Sequence, residues 1–289
     1  MDLMDTLASQ PLFYLCLALV LGLIVGSFLN VLVHRLPIML QQQWQAEARE
    51  VLDLPSEEPA ERYDLILPAS HCPHCGHRIR AWENIPLLSY LLLRGRCSSC
   101  QSAIGVRYPL VEVLCAALTV FAAWHLGASI AALALMVFSW GLLSMSLIDM
   151  QHRLLPDALV LPLLWLGLIV NAFELFVPLE DALWGAVGGY LSLWSVFWLF
   201  KIITGKEGMG YGDFKLLALI GAWGGWQILP LTLLLSSVLG AVIGLIMLRF
   251  KGEKASTPIP FGPYLAIAGW IALLWGGQIT TSYLKLFGM

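Results

Sequence analysis

Eight apolar runs constrain this chain more than any other feature: about 12–33, 108–126, 130–149, 157–177, 182–203, 213–225, 228–249 and 262–282. A helix needs roughly 20 apolar residues to cross the hydrocarbon core of a bilayer. In lipid, moreover, the backbone must satisfy its own N–H and C=O groups. The predicted fold class is therefore an all-α polytopic membrane protein with about eight transmembrane helices. Composition agrees, with 59% hydrophobic and only 12% charged residues and a mean hydropathy of +0.79. A soluble domain of this size carries about twice that charged fraction. The sixth run is short and glycine-rich, so its boundary with the seventh is the least sharply drawn. The first run does not read as a cleaved signal peptide, because its flank is acidic (Asp2, Asp5) and no small-x-small site follows it.

Basic residues set the expected orientation. With the N-terminus outside, the inner segments hold 15 of the 16 Lys and Arg residues and leave only Lys285 outside. The outer turns carry Glu174, Glu180 and Asp181 instead. A split this one-sided follows the positive-inside rule and suits an even number of spans. The formal charge of −3 decides nothing about partners.

The one sizeable polar segment, 34–107, falls on the cytoplasmic side. It opens with a Glu- and Gln-rich stretch, Gln41 to Arg62, expected to be helical. Then come His71-Cys72-Pro73-His74-Cys75-Gly76-His77 and Cys97-Ser98-Ser99-Cys100. Two C-x-x-C pairs in one small segment read as two knuckles offering four thiolates to a tetrahedral zinc ion. Cys72, Cys75, Cys97 and Cys100 are the expected ligands, and Arg78, Arg80, Arg94 and Arg96 around them should favour thiolates. Two disulfides would need an oxidising compartment, whereas the orientation places this segment in a reducing one. With four sulfurs no coordination position stays open, so the metal would be structural. His71, His74 and His77 are then spare. Cys16 and Cys115, inside apolar runs, read as packing residues.

Two carboxylates border the membrane runs. Asp149 closes the third run, and Asp213 opens the sixth within Gly210-Tyr211-Gly212-Asp213-Phe214-Lys215. A carboxylate in or beside hydrocarbon is expensive, so a functional role is its default reading. Both fall at cytoplasmic span ends, where they could share one proton and activate water as an aspartic protease pair does. The bland reading of Asp213 is a helix N-cap. For Asp149 it is a salt bridge to Arg153, although a helix C-terminus disfavours an anion. Asp157 fits an N-cap of the fourth span. Gly26-Ser27-Phe28-Leu29-Asn30 is explained by helix packing at least as well as by catalysis, and Gly240 and Gly244 form a close-packing G-x-x-x-G match.

These motifs, in this order, resemble the type IV prepilin peptidase family. The likeness includes Gly26 to Val31, His34-Arg35-Leu36-Pro37, the paired C-x-x-C insert and Arg107 to Glu112. It continues through Asp149, Leu155-Pro156-Asp157 and Gly210 to Lys215. The resemblance implies a bacterial inner-membrane enzyme, multi-pass, with its active site and zinc insert facing the cytoplasm. It would cleave leaders from type IV prepilins and type II secretion pseudopilins, with Asp149 and Asp213 as the catalytic pair. It would then N-methylate the new N-terminal residue with S-adenosylmethionine. No strand–glycine-loop–helix unit marks a cofactor site, so methyl transfer rests on the resemblance alone. Its expected partners are these substrates and the lipid bilayer, with no nucleic acid. The expected domains are a first span at 1–33, the zinc insert at 34–107 and a peptidase core at 108–289. The alternatives are a proton- or cation-coupled transporter using the same aspartates, and a non-catalytic zinc-knuckle scaffold.

Overall fold

A computed structural model describes residues 9–54, 62–251 and 260–286. Asp2 and Asp5 of the acidic flank, and Lys254 of the basic count, lie outside them. The described residues form nine α-helices: α1 Pro11–Val51, α2 Leu88–Leu92, α3 Arg107–Leu126, α4 Ile130–His152, α5 Asp157–Asn171, α6 Leu179–Thr204, α7 Tyr211–Gly224, α8 Leu229–Lys251 and α9 Gly262–Leu286. Among them there is no strand, only two isolated bridges in the insert, His71 with Arg78 and Arg96 with Ala103. All but α2 correspond one to one with the eight apolar runs.

Six of these helices are long and apolar enough to cross a membrane. The two exceptions are α5, with 15 residues, and α7, with 14. At 1.5 Å per residue each spans only about 20 Å, well short of a bilayer's hydrocarbon core of about 30 Å. Asn171 stops α5 six residues before the expected end. Its side chain donates to the carbonyls of Ala222 and Trp223, each at 2.9 Å, and accepts the N–H groups of Phe176 and Val177, each at 3.2 Å.

The expected break after the first span is absent. α1 runs on for 41 residues through Pro37 to Val51, so the first part of the Gln41–Arg62 tract continues the membrane helix. Apolarity marks where lipid ends, whereas helix continuation needs only compatible backbone, which Gln, Glu and Ala supply. The chain is no longer helical at Arg62.

The helices belong to two compact units, Met1–Trp140 and Gly141–Met289, with α4 contributing to each. In the first, α1 lies tightly on α3. A Cβ on Gly26 would sit 2.7 Å from the Glu112 Cα, and Asn30 Nδ2 donates to the Tyr108 carbonyl at 3.0 Å. The Gly26–Asn30 motif thus stitches two helices, as its packing reading expected.

In the second unit α7 is the core helix. Phe214 and every residue from Leu216 to Gly225 are buried, and α5, α6 and α9 pack around it. A helix apolar on all sides belongs in such a place. Its closest approach is to α6, where Gly185 and Gly221 meet backbone to backbone and a Cβ on Gly189 would lie 2.6 Å from the Leu217 carbonyl. Trp223, fully buried, donates from its indole to the Leu163 carbonyl at 2.9 Å and ties α7 to α5.

Candidate functional site

Asp149 lies in the last turn of α4, and Asp213 is the third residue of α7. Both belong to the second unit, and both are buried, at 6% and 8% exposure. They lie within electrostatic range of each other. Leu155 links their surroundings. A Cβ on Gly212 would sit 2.8 Å from the Leu155 Cβ, and one on Gly262 would sit 3.4 Å from the Leu155 Cδ2.

Each carboxylate also meets the start of a helix. Asp149 Oδ2 accepts the Gly262 N–H at 3.0 Å, at the first residue of α9. Asp213 faces the N–H of Gly210, the N-cap of α7. The N-terminus of a helix presents unpaired N–H groups and the positive end of its dipole, so both environments suit an anion. The bland readings fare unevenly. Asp213 is not the N-cap residue, though it reaches back to the cap as the third residue of a capping box does. Asp149 forms no ion pair with Arg153 among the described residues; Arg153 turns to φ +52 and donates its backbone N–H to the Asp149 carbonyl at 2.9 Å. Asp157 does not cap α5 either, since Pro156 holds that position. Its carboxylate instead takes both oxygens to Lys215 Nζ at 2.7 Å.

The sequence reading missed Gly262. Its only signal is the Pro260-Phe261-Gly262-Pro263 turn that opens the last span. A Cβ there would lie 2.6 Å from Asp149 Oδ2, so the carboxylate's position requires glycine.

The four cysteines of the insert converge. Their sulfurs all lie within 4.8 Å of one another, with Cys72 to Cys100 at 3.8 Å and Cys75 to Cys97 at 4.0 Å. A tetrahedral ion with metal–sulfur bonds of about 2.3 Å needs sulfurs roughly 3.8 Å apart, so this cluster could hold a metal ion. The two knuckles repeat each other. Gly76 N–H donates to the Cys72 carbonyl at 2.9 Å, and Gln101 N–H donates to the Cys97 carbonyl at 3.1 Å. Gly76 and Gln101 both take positive φ, +70 and +58. The N–H groups of His74 and Cys75 hold the Cys72 thiol well below its ordinary range, at about 6. At Cys72 these knuckle amides are the leading influence, whereas at Cys75 the His77 N–H is outweighed by burial and the neighbouring thiols, which push the thiol up to about 11. The His77 ring meets Glu83 Oε2 at 3.2 Å and the Ser98 hydroxyl at 3.3 Å.

Apolar helices long enough to cross a membrane, two buried carboxylates facing helix N-termini and a four-cysteine cluster that could hold a metal ion are the features of a membrane-protein class with a metal-knuckle insert. Two family models match, the Bacterial Peptidase A24 N-terminal domain over residues 20–126 and the Type IV leader peptidase family over residues 136–245. The chain belongs to the type IV leader peptidase family. It is 66% identical to the prepilin leader peptidase/N-methyltransferase of Stutzerimonas stutzeri over 281 residues, 97% of each chain. With the protein of that name from Pseudomonas aeruginosa it shares 66% identity over 288 residues, 100% of this chain and 99% of the relative. The Aeromonas hydrophila relative is 54% identical over 287 residues, 99% of each. No solved structure matches the chain.

Proposed function

We propose that this protein cleaves the leader peptide from type IV prepilins and pseudopilins and N-methylates the residue so exposed. The observation that carries the peptidase reading is the meeting of Asp149 and Asp213 with the starts of α9 and α7 in one buried site. One carboxylate is ionised and takes a proton from water as the oxygen attacks the scissile carbonyl. The other is protonated and donates to the carbonyl oxygen, and the roles exchange as the amine leaves. Each carboxylate has a backbone N–H to support its ionised form, that of Gly262 for Asp149 and that of Gly210 for Asp213. The apolar helix of the substrate stays in lipid, which positions its junction beside the pair.

Asp149 and Asp213 are therefore the catalytic residues of this proposal, and Cys72, Cys75, Cys97 and Cys100 the ligands of a structural zinc ion. S-adenosylmethionine, the methyl donor, supplies a methyl group that the new amine takes up with loss of a proton, leaving a neutral thioether. The protein resides in the bacterial inner membrane, with both the pair and the insert on the cytoplasmic side. The cysteine-bearing insert is the metal module, and the unit Gly141–Met289, which holds both aspartates, is the peptidase core. Family membership argues for this reading over a transporter or a scaffold. The test is mass spectrometry of a purified prepilin after incubation with the purified protein and S-adenosylmethionine. The expected product lacks the leader and carries one methyl group; an intact substrate would end the proposal.

A further inference from the structure

The first unit contains a cavity of about 420 Å³ between α1, α3 and the insert. This volume is in the range of small-molecule sites. We propose that it is the methyl-donor site and that Glu112 is the group that recognises the donor's positive charge. The inference rests on the methyltransferase reading above.

Glu112 carries the argument. It is buried, at 8% exposure, and lines the cavity from the start of α3. Its Oε2 accepts the Leu87 N–H at 2.8 Å, with the Ser27 hydroxyl beside it. Among the described residues no cation pairs with it. The other charged groups of the cavity wall are already engaged. Arg35 spends its terminal nitrogens on the Asp64 and Pro68 carbonyls at 2.8 and 2.6 Å, and Glu83 is paired with His77. A buried carboxylate without a counter-charge is costly, and a cationic ligand in the adjoining space relieves that cost.

The backbone at this wall is also held in an unusual shape. Leu87 adopts φ +59, and Leu88 N–H donates to the Pro86 carbonyl at 2.6 Å, a tight three-residue turn. For a residue with a side chain such a conformation is strained and persists only where its surroundings enforce it. Here it aims the Leu87 N–H at Glu112 and so fixes the carboxylate.

The rest of the wall fits the donor's other parts. Tyr63, Tyr90 and Tyr108 line the cavity, with the Arg35 guanidinium lying over the Tyr63 ring at 5.7 Å, and supply the aromatic surface a purine requires. Aromatic faces beside a carboxylate also suit a sulfonium or ammonium centre.

The test uses the purified full-length protein in detergent, without prepilin, so that no turnover occurs. Binding of S-adenosylmethionine and of uncharged-sulfur S-adenosylhomocysteine is measured by equilibrium dialysis. In parallel, the methyl-labelled donor is crosslinked by ultraviolet light and the labelled peptides are mapped. Glu112→Gln keeps an acceptor for the Leu87 N–H and should weaken S-adenosylmethionine by about tenfold or more, and S-adenosylhomocysteine by less. Val31→Trp, which fills the cavity, should abolish both. Label should fall within 27–35, 84–90 or 104–112. Unchanged affinity in a Glu112→Gln protein of normal elution profile, or label confined to 141–289, would overturn the site and leave the methyltransferase reading standing. Failure of a prepilin-cleaving wild type to bind either compound would overturn both.

Discussion

Asp149 and Gly262 meet across 113 positions of sequence, with an N–H on one side and a carboxylate on the other. Gly262→Ala puts a methyl group on Oδ2 and displaces the carboxylate by a fraction of an ångström or more. Misplacement on that scale costs about 10²-fold in rate, so kcat for prepilin cleavage should fall by roughly that factor with KM little changed. Steady-state kinetics of a monodisperse variant checks this; wild-type kcat would remove Gly262 from the account. The neighbouring pair Asp157–Lys215 is half-exposed, and such pairs contribute about 0–1 kcal/mol. Asp157→Asn should accordingly shift thermal stability and cleavage only slightly, and a loss comparable to that of Gly262→Ala would contradict the reading of it as a surface tie. The aspartates and cysteines were legible because each breaks a local pattern, a charge in an apolar run or a sulfur at knuckle spacing. Gly262 was not, because a glycine in a turn acquires its meaning only from the distant carboxylate placed against it.

The two shortest membrane-associated helices, α5 and α7, stand next to the aspartates in sequence, and α7 is almost wholly buried. The α6–α7 crossing holds it there through glycine backbones. Gly221→Val must push α6 away, since a Cβ would strike the Gly185 carbonyl. A loss of about 1–3 kcal/mol is expected for such overpacking, read as a lower unfolding temperature in detergent together with lost cleavage. In the insert the element is the pair of knuckles. Cys72→Ser should release the metal, measured by elemental analysis, and open 62–107 to limited proteolysis, because a metal site of this kind supplies folding energy to a segment too small for its own core. Full metal content in that variant would contradict the four-sulfur site. Element type was legible from run length and composition, whereas element ends were not. α1 passes its apolar limit because its polar tail is also a good helix former, and α5 stops early because the Asn171 side chain captures backbone that the sequence reading had left in the span.

At the scale of the molecule, the division into units falls at Trp140–Gly141, beyond the first family match at 20–126 and just inside the start of the second at 136–245. Each unit carries one of the two chemistries of the proposed function, the cysteine cluster and cavity in the first and the aspartate pair in the second. Eight membrane-related helices could be counted from hydropathy, because lipid imposes its length and polarity on every segment it touches. The partition into units could not, since it depends on which apolar faces pack together, and all of them are apolar. The cavity of the first unit was invisible for a similar reason: its walls come from α1, the insert and α3, with no contiguous motif. The central claim is that Asp149 and Asp213 together activate water. Its most direct test is cleavage of a purified prepilin by wild type, Asp149→Asn and Asp213→Asn, each shown to be folded by its elution profile and metal content. The account predicts complete loss of leader release in both variants; wild-type cleavage by either would take that aspartate out of the mechanism.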